Sequence, residues 1–117
     1  MVIAVVDDDH DLRDTVSEVL RDAGYAPLAF PGAREALAGI RALQQRPSLI
    51  LLDLMMPGMS GWEFRDEQLN DPALRDVPVV VMTASRDLAR HPISANEILQ
   101  KPVDIEALLS SIARNRQ

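Results

Sequence analysis

The sequence predicts an α/β fold in which short parallel strands alternate with longer helices. Short apolar or β-branched segments are separated by stretches in which apolar residues recur at helical spacing. Such alternation is typical of βαβ units, whose strands lie parallel in one sheet. The apolar segments also end in polar residues, and the carboxyl ends of parallel strands meet at a single edge of the sheet. The 117 residues suit one domain, covering residues 1–117, with its own core.

The composition excludes several classes of protein. With 47% apolar and 26% charged residues, the chain has the balance of a folded globular protein. The absence of cysteine excludes disulfides, zinc thiolate sites and thiol catalysis, and it suits a reducing cytoplasm. The longest apolar run, residues 1–6, is far shorter than the roughly 20 residues of a membrane span. We therefore expect a cytoplasmic protein without a membrane partner.

The charge of the chain disfavours nucleic acid as a partner. Its net charge is −6 at pH 7, whereas binding to nucleic-acid phosphates depends on a basic surface. Because the last residues, 114–117, directly follow a helical pattern, we expect no further domain after it. We expect no direct contact between this chain and nucleic acid.

The first half of the chain predicts two strands and two helices. Residues 2–6 form the first strand, and the helix after it carries one apolar stripe and begins near Asp9. Residues 25–30 form a short second strand, which Pro27 places at an edge of the sheet because proline cannot donate to a strand ladder. A second helix follows over about residues 33–43.

The second half predicts three more strands and three more helices. Residues 48–52 are almost wholly apolar, as expected for a central strand of a parallel sheet. The third helix starts at about Ser60, and its larger apolar groups are Trp62, Phe64 and Leu69. The remaining predicted elements are a fourth strand at 77–82, a short fourth helix, a fifth strand at 97–100 and a last helix at 103–114 that Asp104 caps.

Polar residues at the ends of these strands form the candidate site. Asp7 and Asp8 follow the first strand, and Asp53 closes the third strand just before a Met-Pro-Gly turn. Thr83 follows the fourth strand and Lys101 the fifth. In a parallel sheet these groups would converge in the crevice at the carboxyl edge. Two carboxylates 5 Å apart repel by about 3 kcal/mol at an effective dielectric constant of 20, and a divalent cation such as Mg²⁺ would offset this repulsion.

These strand-end residues and their order along the chain resemble those of the receiver domain of two-component response regulators. The resemblance covers nearly the whole chain. Its most specific pieces are the acidic run after the first strand, the stretch from Leu52 to Gly61, and Lys101-Pro102. The resemblance implies a stand-alone receiver with a flavodoxin-like, doubly wound sheet of order 2-1-3-4-5, helices on both faces and a shortened fourth helix. It also implies a cis peptide bond between Lys101 and Pro102.

The same resemblance implies the function and the roles of the site residues. Asp53 accepts a phosphoryl group from a sensor histidine kinase or a histidine phosphotransfer protein, and an unknown downstream protein reads the changed surface. The domain then catalyses only its own phosphorylation and dephosphorylation and is not an enzyme in the usual sense. Thr83 and Lys101 hold phosphoryl oxygens. Mg²⁺, with Mn²⁺ as an alternative, is bound by Asp8 and Asp53 directly, by Asp7 partly through water, and by the carbonyl group of Met55.

Three positions depart from the usual receiver pattern. Ser60 replaces a common Asp, and serine also caps helices. Ile98 stands where the family usually has an aromatic switch residue. Only seventeen residues separate Thr83 from Lys101, which shortens the fourth helix. We expect residues 85–95 to shift or order on phosphorylation, because they contain few apolar residues to anchor them.

Two other functions compete with the receiver reading. Asp7-x-Asp9, with Thr83 and Lys101 later in the chain, also resembles the haloacid-dehalogenase phosphohydrolases, in which the first Asp is the nucleophile. That family normally has a longer chain. The other alternative is a degenerate binding module that is never phosphorylated, and a lack of Mg²⁺ affinity would favour it.

Overall fold

The computed structural model describes residues 1–84, 88 and 91–117, which form a five-stranded parallel sheet flanked by helices. The strand order is β2-β1-β3-β4-β5, so the predicted order is confirmed. The strands are β1 Val2–Val6, β2 Ala26–Phe30, β3 Leu49–Asp53, β4 Val79–Thr83 and β5 Glu97–Gln100. The helices of the described residues are α1 His10–Asp22, α2 Ala33–Arg41, α3 Gly61–Leu69 and α4 Ile105–Asn115.

The elements differ from their predicted bounds mainly at the ends. Strand β4 begins at Val79 rather than at Val77, because the Val77 N–H donates to the Leu74 carbonyl in the preceding turn and Pro78 has no N–H to donate. Helix α4 begins at Ile105, since Asp104 caps it from outside. The helix predicted between the last two strands falls largely on residues 85–87, 89 and 90, which lie outside the described residues.

The core has two layers, one on each face of the sheet, as the doubly wound prediction requires. Successive strand residues point to opposite faces, so each strand contributes to both layers. One layer joins the sheet to α2 and α3 through Leu37, Ile40 and Phe64, among others. The other joins it to α1 and α4 through Leu20 and Ile112, among others.

The register of the strands brings their carboxyl ends level with one another. Val6 at the end of β1 is opposite Leu52, Asp53 is opposite Met82, and Thr83 is opposite Gln100. The residues that follow β1 and β5 therefore lie at the same edge as the ends of β3 and β4. Strand β2 is an edge strand, as Pro27 predicts.

Side-chain caps fix where three of the helices begin. Asp9 accepts a hydrogen bond from the Leu12 N–H at the start of α1, and Asp104 does the same for α4 with Ala107. Ser60 and Glu63 form a reciprocal capping box at the start of α3, so the Ser60 departure preserves the helix start. Among the described helices, none has both the length and the apolar character that crossing a membrane demands.

Candidate functional site

Three carboxylates converge at the carboxyl edge of the sheet, as the strand ends predict. One oxygen from each of Asp7, Asp8 and Asp53 lies within 4.8 Å of the other two. Asp7 is fully buried and Asp53 is 3% exposed, whereas Asp8 is exposed to solvent. The cluster thus has two carboxylates set into the protein and one at its open side.

Lys101 reaches into this acidic cluster from the end of β5. Its Nζ donates to Oδ2 of Asp7 at 2.8 Å and lies 3.5 Å from Oδ1 of Asp53. The Lys101–Pro102 peptide bond is cis, as the resemblance implied. The predicted convergence of Asp7, Asp53 and Lys101 is therefore present in the fold.

The charges and the burial of this cluster perturb the acidity of its members. Burial, followed by the negative charge of Asp7, raises the pKa of Asp53 to about 6, although Lys101 opposes the change. Burial alone would lower the pKa of Lys101, but its hydrogen bond to Asp7 and the charge of Asp53 outweigh burial and raise it. The surroundings of Lys101 therefore favour its ammonium form, and Asp53 is mostly ionised at neutral pH.

Thr83 and Met55 are the other two predicted site residues, and they differ in burial. Thr83 is fully buried at the end of β4, where its carbonyl accepts a hydrogen bond from the Lys101 N–H at 2.8 Å. The side chain of Met55 is exposed, and its backbone N–H hydrogen-bonds to Asp53, which lowers the pKa of that carboxyl. The metal-binding role predicted for the Met55 carbonyl stays a prediction.

The loop after Asp53 folds back onto the strand that it leaves. The Gly61 N–H donates to the Leu54 carbonyl, and a Cβ at Gly61 would lie 2.5 Å from the Asp53 carbonyl oxygen. Gly58 has a φ of +76°, a left-handed conformation that favours glycine. These two glycines let the start of α3 pack directly against the backbone of Asp53.

The sequence analysis did not identify Arg13 as part of this region. Its Nη1 donates to the backbone carbonyl of Asp7 at 2.8 Å from the first turn of α1. A cation is unfavourable near a helix N-terminus, where the dipole is positive, and that position was the available signal. Arg13 therefore adds a positive charge beside the backbone of Asp7.

The donor set fits a hard divalent cation. The cluster holds three carboxylates against the ammonium of Lys101, which leaves negative charge in excess. Mg²⁺ prefers oxygen ligands, keeps several waters and needs only one or two protein carboxylates. The exposed side of the cluster at Asp8 leaves access for such waters.

Comparison with known proteins identifies the family. The family model described as the response regulator receiver domain matches residues 3–113. The chain belongs to the response regulator receiver domain family. Receiver domains accept phosphoryl groups in two-component signalling, interact with histidine kinases or phosphotransfer proteins and bind Mg²⁺ at the acidic pocket. The flavodoxin-like fold and the receiver class are thereby confirmed, and the phosphohydrolase alternative has no support from the family assignment.

Solved receiver structures share the whole fold. The chemotaxis protein CheY4 of Vibrio cholerae is 30% identical with a TM-score of 0.86, and the match covers 97% of each chain. The response regulator TrrA of Thermotoga maritima, solved in complex with Mg²⁺ and BeF, is 28% identical with a TM-score of 0.85. That match covers 97% of this chain and 96% of TrrA.

Curated relatives include longer regulators. The chain is 32% identical to the DNA-binding dual master transcriptional regulator RpaA of Synechocystis, over 94% of this chain and 46% of RpaA. It is 30% identical to the phosphate regulon transcriptional regulatory protein PhoB of Pseudomonas aeruginosa, over 94% of this chain and 49% of PhoB. The chain thus spans about half the length of these relatives. Because a relative is DNA-binding by name, the comparisons do not support the predicted exclusion of nucleic acid.

Proposed function

We propose that this receiver accepts one phosphoryl group on Asp53 from a phosphohistidine donor, and that the phosphorylated form presents a changed surface to a downstream protein. The donor would be a sensor histidine kinase or a histidine phosphotransfer protein. The domain that does this is proposed to cover residues 1–117. The observation that carries the proposal is the position of Asp53, whose carboxylate lies 3.5 Å from the Lys101 ammonium inside a cluster of acids.

The proposed reaction is a simple displacement at phosphorus. A carboxylate oxygen of Asp53 attacks the phosphorus of the phosphohistidine, and the P–O bond forms as the P–N bond breaks. The leaving imidazole nitrogen takes up a proton from solvent. Little covalent chemistry is left for the protein, so its contribution is to position the reacting groups and neutralise charge.

Residues around Asp53 supply that neutralisation. In the proposal, the Lys101 ammonium turns from Asp7 to one phosphoryl oxygen, and the Thr83 hydroxyl binds another. A bound Mg²⁺, held by Asp8, Asp53, Asp7 and the Met55 carbonyl, would neutralise developing charge on the phosphoryl oxygens. Mn²⁺ would serve the same purpose because it accepts the same oxygen ligands.

Asp53 is a better acceptor than Asp7, which the phosphohydrolase alternative would use. Both oxygens of Asp7 already accept hydrogen bonds, Oδ1 from the Asp9 N–H at 2.9 Å and Oδ2 from Lys101 at 2.8 Å. A carboxylate oxygen that accepts a short hydrogen bond from an ammonium is a weaker nucleophile, because the ammonium stabilises its negative charge. Asp53 accepts a hydrogen bond from the Met55 N–H, but its oxygen lies 3.5 Å from the Lys101 ammonium, compared with 2.8 Å for Asp7.

Incubation with acetyl phosphate and Mg²⁺, followed by intact-mass measurement and peptide mapping, tests the proposal. We expect one added phosphoryl group on Asp53 and none on the Asp53→Asn variant, which keeps the shape of the side chain. Label on Asp7, or wild-type labelling of Asp53→Asn, would move the assignment to a phosphohydrolase-like nucleophile. A wild-type chain that takes up no label and has no Mg²⁺ affinity would be the degenerate binding module.

A further inference from the structure

Arg65 is a buried cation far from the acidic cluster. It lies in the middle of α3 and is 9% exposed. Its Nε donates to the Ser94 carbonyl at 2.7 Å, and its Nη1 donates to Oε1 of Gln68 at 2.8 Å. Both partners are neutral. In the described part of the chain no carboxylate lies within ion-pairing distance of this guanidinium, and burial lowers the pKa of Arg65.

The guanidinium retains donors that no described residue of the chain accepts from. All buried side-chain nitrogens and oxygens of the described residues have a hydrogen-bond partner. Nη2 of Arg65 has no partner among those residues, so it is the solvent-accessible end of the group. Removing a guanidinium from most of its water without a counter-ion is costly, and a carboxylate from outside would offset that cost.

Arg65 lines a small cavity between α3 and residues 92–94. The cavity has a volume of about 250 Å³, and its apolar walls are formed by Trp62, Leu69, Pro92 and Ile93. Leu69 is 42% exposed, so part of this apolar wall faces solvent. The Trp62 ring is held in place because its Nε1 donates to the His91 carbonyl at 2.9 Å. The cavity therefore pairs a fixed cation with a fixed apolar wall.

The size of the cavity decides what kind of group it suits. Sites for whole small molecules usually measure about 300–1,000 Å³, so this cavity is better matched to one or two side chains. Trp and Arg are also the residues most enriched at the energetic centres of protein interfaces. We propose that this cavity binds an acidic side chain and an adjacent aliphatic side chain of a partner protein, with the carboxylate on Arg65 and the aliphatic group against Trp62 and Leu69.

One residue on the cavity opposes this charge preference. Asp66 also lines the cavity and is exposed to solvent. Its repulsion of an incoming carboxylate acts largely through water and is screened by salt, whereas the Arg65 contact is made in a mostly buried place. Arg65 is therefore expected to favour the binding of a carboxylate, and Asp66 to oppose it weakly.

The single tryptophan of the chain makes the proposal directly testable. Trp62 fluorescence, excited where tyrosine does not absorb, is titrated with acetyl-Leu-Glu-amide and with acetyl-Leu-Gln-amide, which differ in one charge. We expect the Glu peptide to bind at least about tenfold more tightly, because a hydrogen bond between two charged groups is stronger than one to a neutral amide. Equal affinities, or no response to either peptide up to about 10 mM, would overturn the proposal.

Two variants test whether the charge of Arg65, rather than its contribution to folding, sets the peptide preference. Arg65→Gln keeps an amide donor for the Ser94 carbonyl and removes the cation, so the preference for the Glu peptide should vanish. Asp66→Asn should keep or increase the preference. The comparison of two peptides on the wild-type chain stands by itself if Arg65→Gln fails to fold. Quenching of Trp62 that follows protein concentration and self-association, with no response to peptide, would make a second copy the occupant and contradict the proposal.

Discussion

Asp8 differs from its two neighbours in the acidic cluster because it is exposed. Asp7 and Asp53 share the ammonium of Lys101 as an ion-pair partner. Within the described residues, Asp8 has no hydrogen bond and no ion pair. An exposed carboxylate without a protein partner adds little to folding. At this position its charge is free to hold a metal ion. Asp8 is therefore the residue at which metal binding and folding can be separated.

Asp8→Asn should abolish most of the stabilisation that Mg²⁺ gives without destabilising the metal-free protein. A ligand that binds only the folded state raises the free energy of unfolding by RT ln(1 + [L]/Kd). Without Mg²⁺ we expect the variant to be at least as stable as wild type, because the substitution removes the repulsion between Asp8 and the carboxylates of Asp7 and Asp53. Thermal unfolding over a Mg²⁺ series measures both quantities.

Asp22→Asn is the matched control, since Asp22 is an exposed acid at the far end of α1 and lies outside the cluster. It should keep the full Mg²⁺ response. If Asp8→Asn responds to Mg²⁺ as wild type does, the acid after β1 serves the start of α1 and not a metal ion.

Helix α3 holds the connection between β4 and β5 through polar contacts. Trp62 and Arg65 donate to the carbonyls of His91 and Ser94, and Ile93 and Ala95 pack against the core of the same face. Residues 91–95 therefore have anchors that their few apolar residues did not predict. Residues 85–87, 89 and 90 lie outside the described residues, and the expectation that residues 85–95 shift or order on phosphorylation stays a prediction.

Gln68 is the centre of these contacts within α3. It is fully buried, its Nε2 donates to the carbonyls of Leu74 and Val77, and its Oε1 accepts from Arg65. Gln68→Leu leaves the Val77 carbonyl and one guanidinium nitrogen of Arg65 without their partners, whereas the Leu74 carbonyl keeps the Val77 N–H. Because each of these two buried unsatisfied groups costs about 1–3 kcal/mol, we expect the free energy of unfolding in urea to fall by about 2–6 kcal/mol.

Asn70→Ala provides the comparison for that measurement. Asn70 carries the same kind of amide, but it is exposed and donates only to the Asp66 carbonyl at 3.0 Å. Its removal should change the free energy of unfolding by less than about 0.5 kcal/mol. Similar losses in the two variants would mean that the buried network around Gln68 contributes nothing specific.

At the scale of the whole molecule, the sequence predicts most of the fold because its apolar pattern and its strand ends agree. Pro27 alone identifies β2 as an edge strand, and the apolar sequence of β3 identifies it as a central strand. The full strand order came from the resemblance to receiver domains. The site follows from the same topology, since polar residues at the ends of parallel strands must meet. Strand bounds shifted by one or two residues where a turn used a backbone N–H, as at Val77.

The buried polar side of α3 could not be predicted from the pattern of the helix. Leu69 is one of the larger apolar groups of the helix, yet it is 42% exposed, whereas the polar Arg65 and Gln68 are buried. Their burial depends on carbonyls at residues 74, 77 and 94, which are supplied by segments that follow the helix in the chain. A local pattern holds no information on such partners. The cavity beside Trp62 could not be predicted for the same reason, because residues 92–94 form part of its wall.

An ion pair joins the edge strand β5 to helix α4, and its contribution to the stability of the fold depends on pH. Glu97, the first residue of β5, accepts two hydrogen bonds from Arg114 at 2.9 and 2.8 Å and one from Asn115, both on the last turn of α4. The hydrogen bond from Arg114, and next that from Asn115, lower the pKa of Glu97 to about 2. The carboxylate form is thus favoured by folding.

The sign of the pH dependence follows from that direction. The pKa of Glu97 is lower in the folded state than the 4.5 of a free side chain, so its contribution is fully present above pH 4.5 and is lost as the pH falls toward 2. Glu97→Gln should cost about 1 kcal/mol at pH 7, because the Arg114 partner is 58% exposed and solvent screens the pair. The difference in the free energy of unfolding between wild type and variant should shrink steadily below pH 4.5.

Urea unfolding at closely spaced pH values measures this difference. Glu18 is an exposed acid on α1, and the Glu18→Gln control gives the effect of removing one negative charge that is not in an ion pair. A gap between wild type and Glu97→Gln that stays constant from pH 7 to 3, or that matches the Glu18 control, would show that the contact between β5 and α4 does not depend on the charge of Glu97.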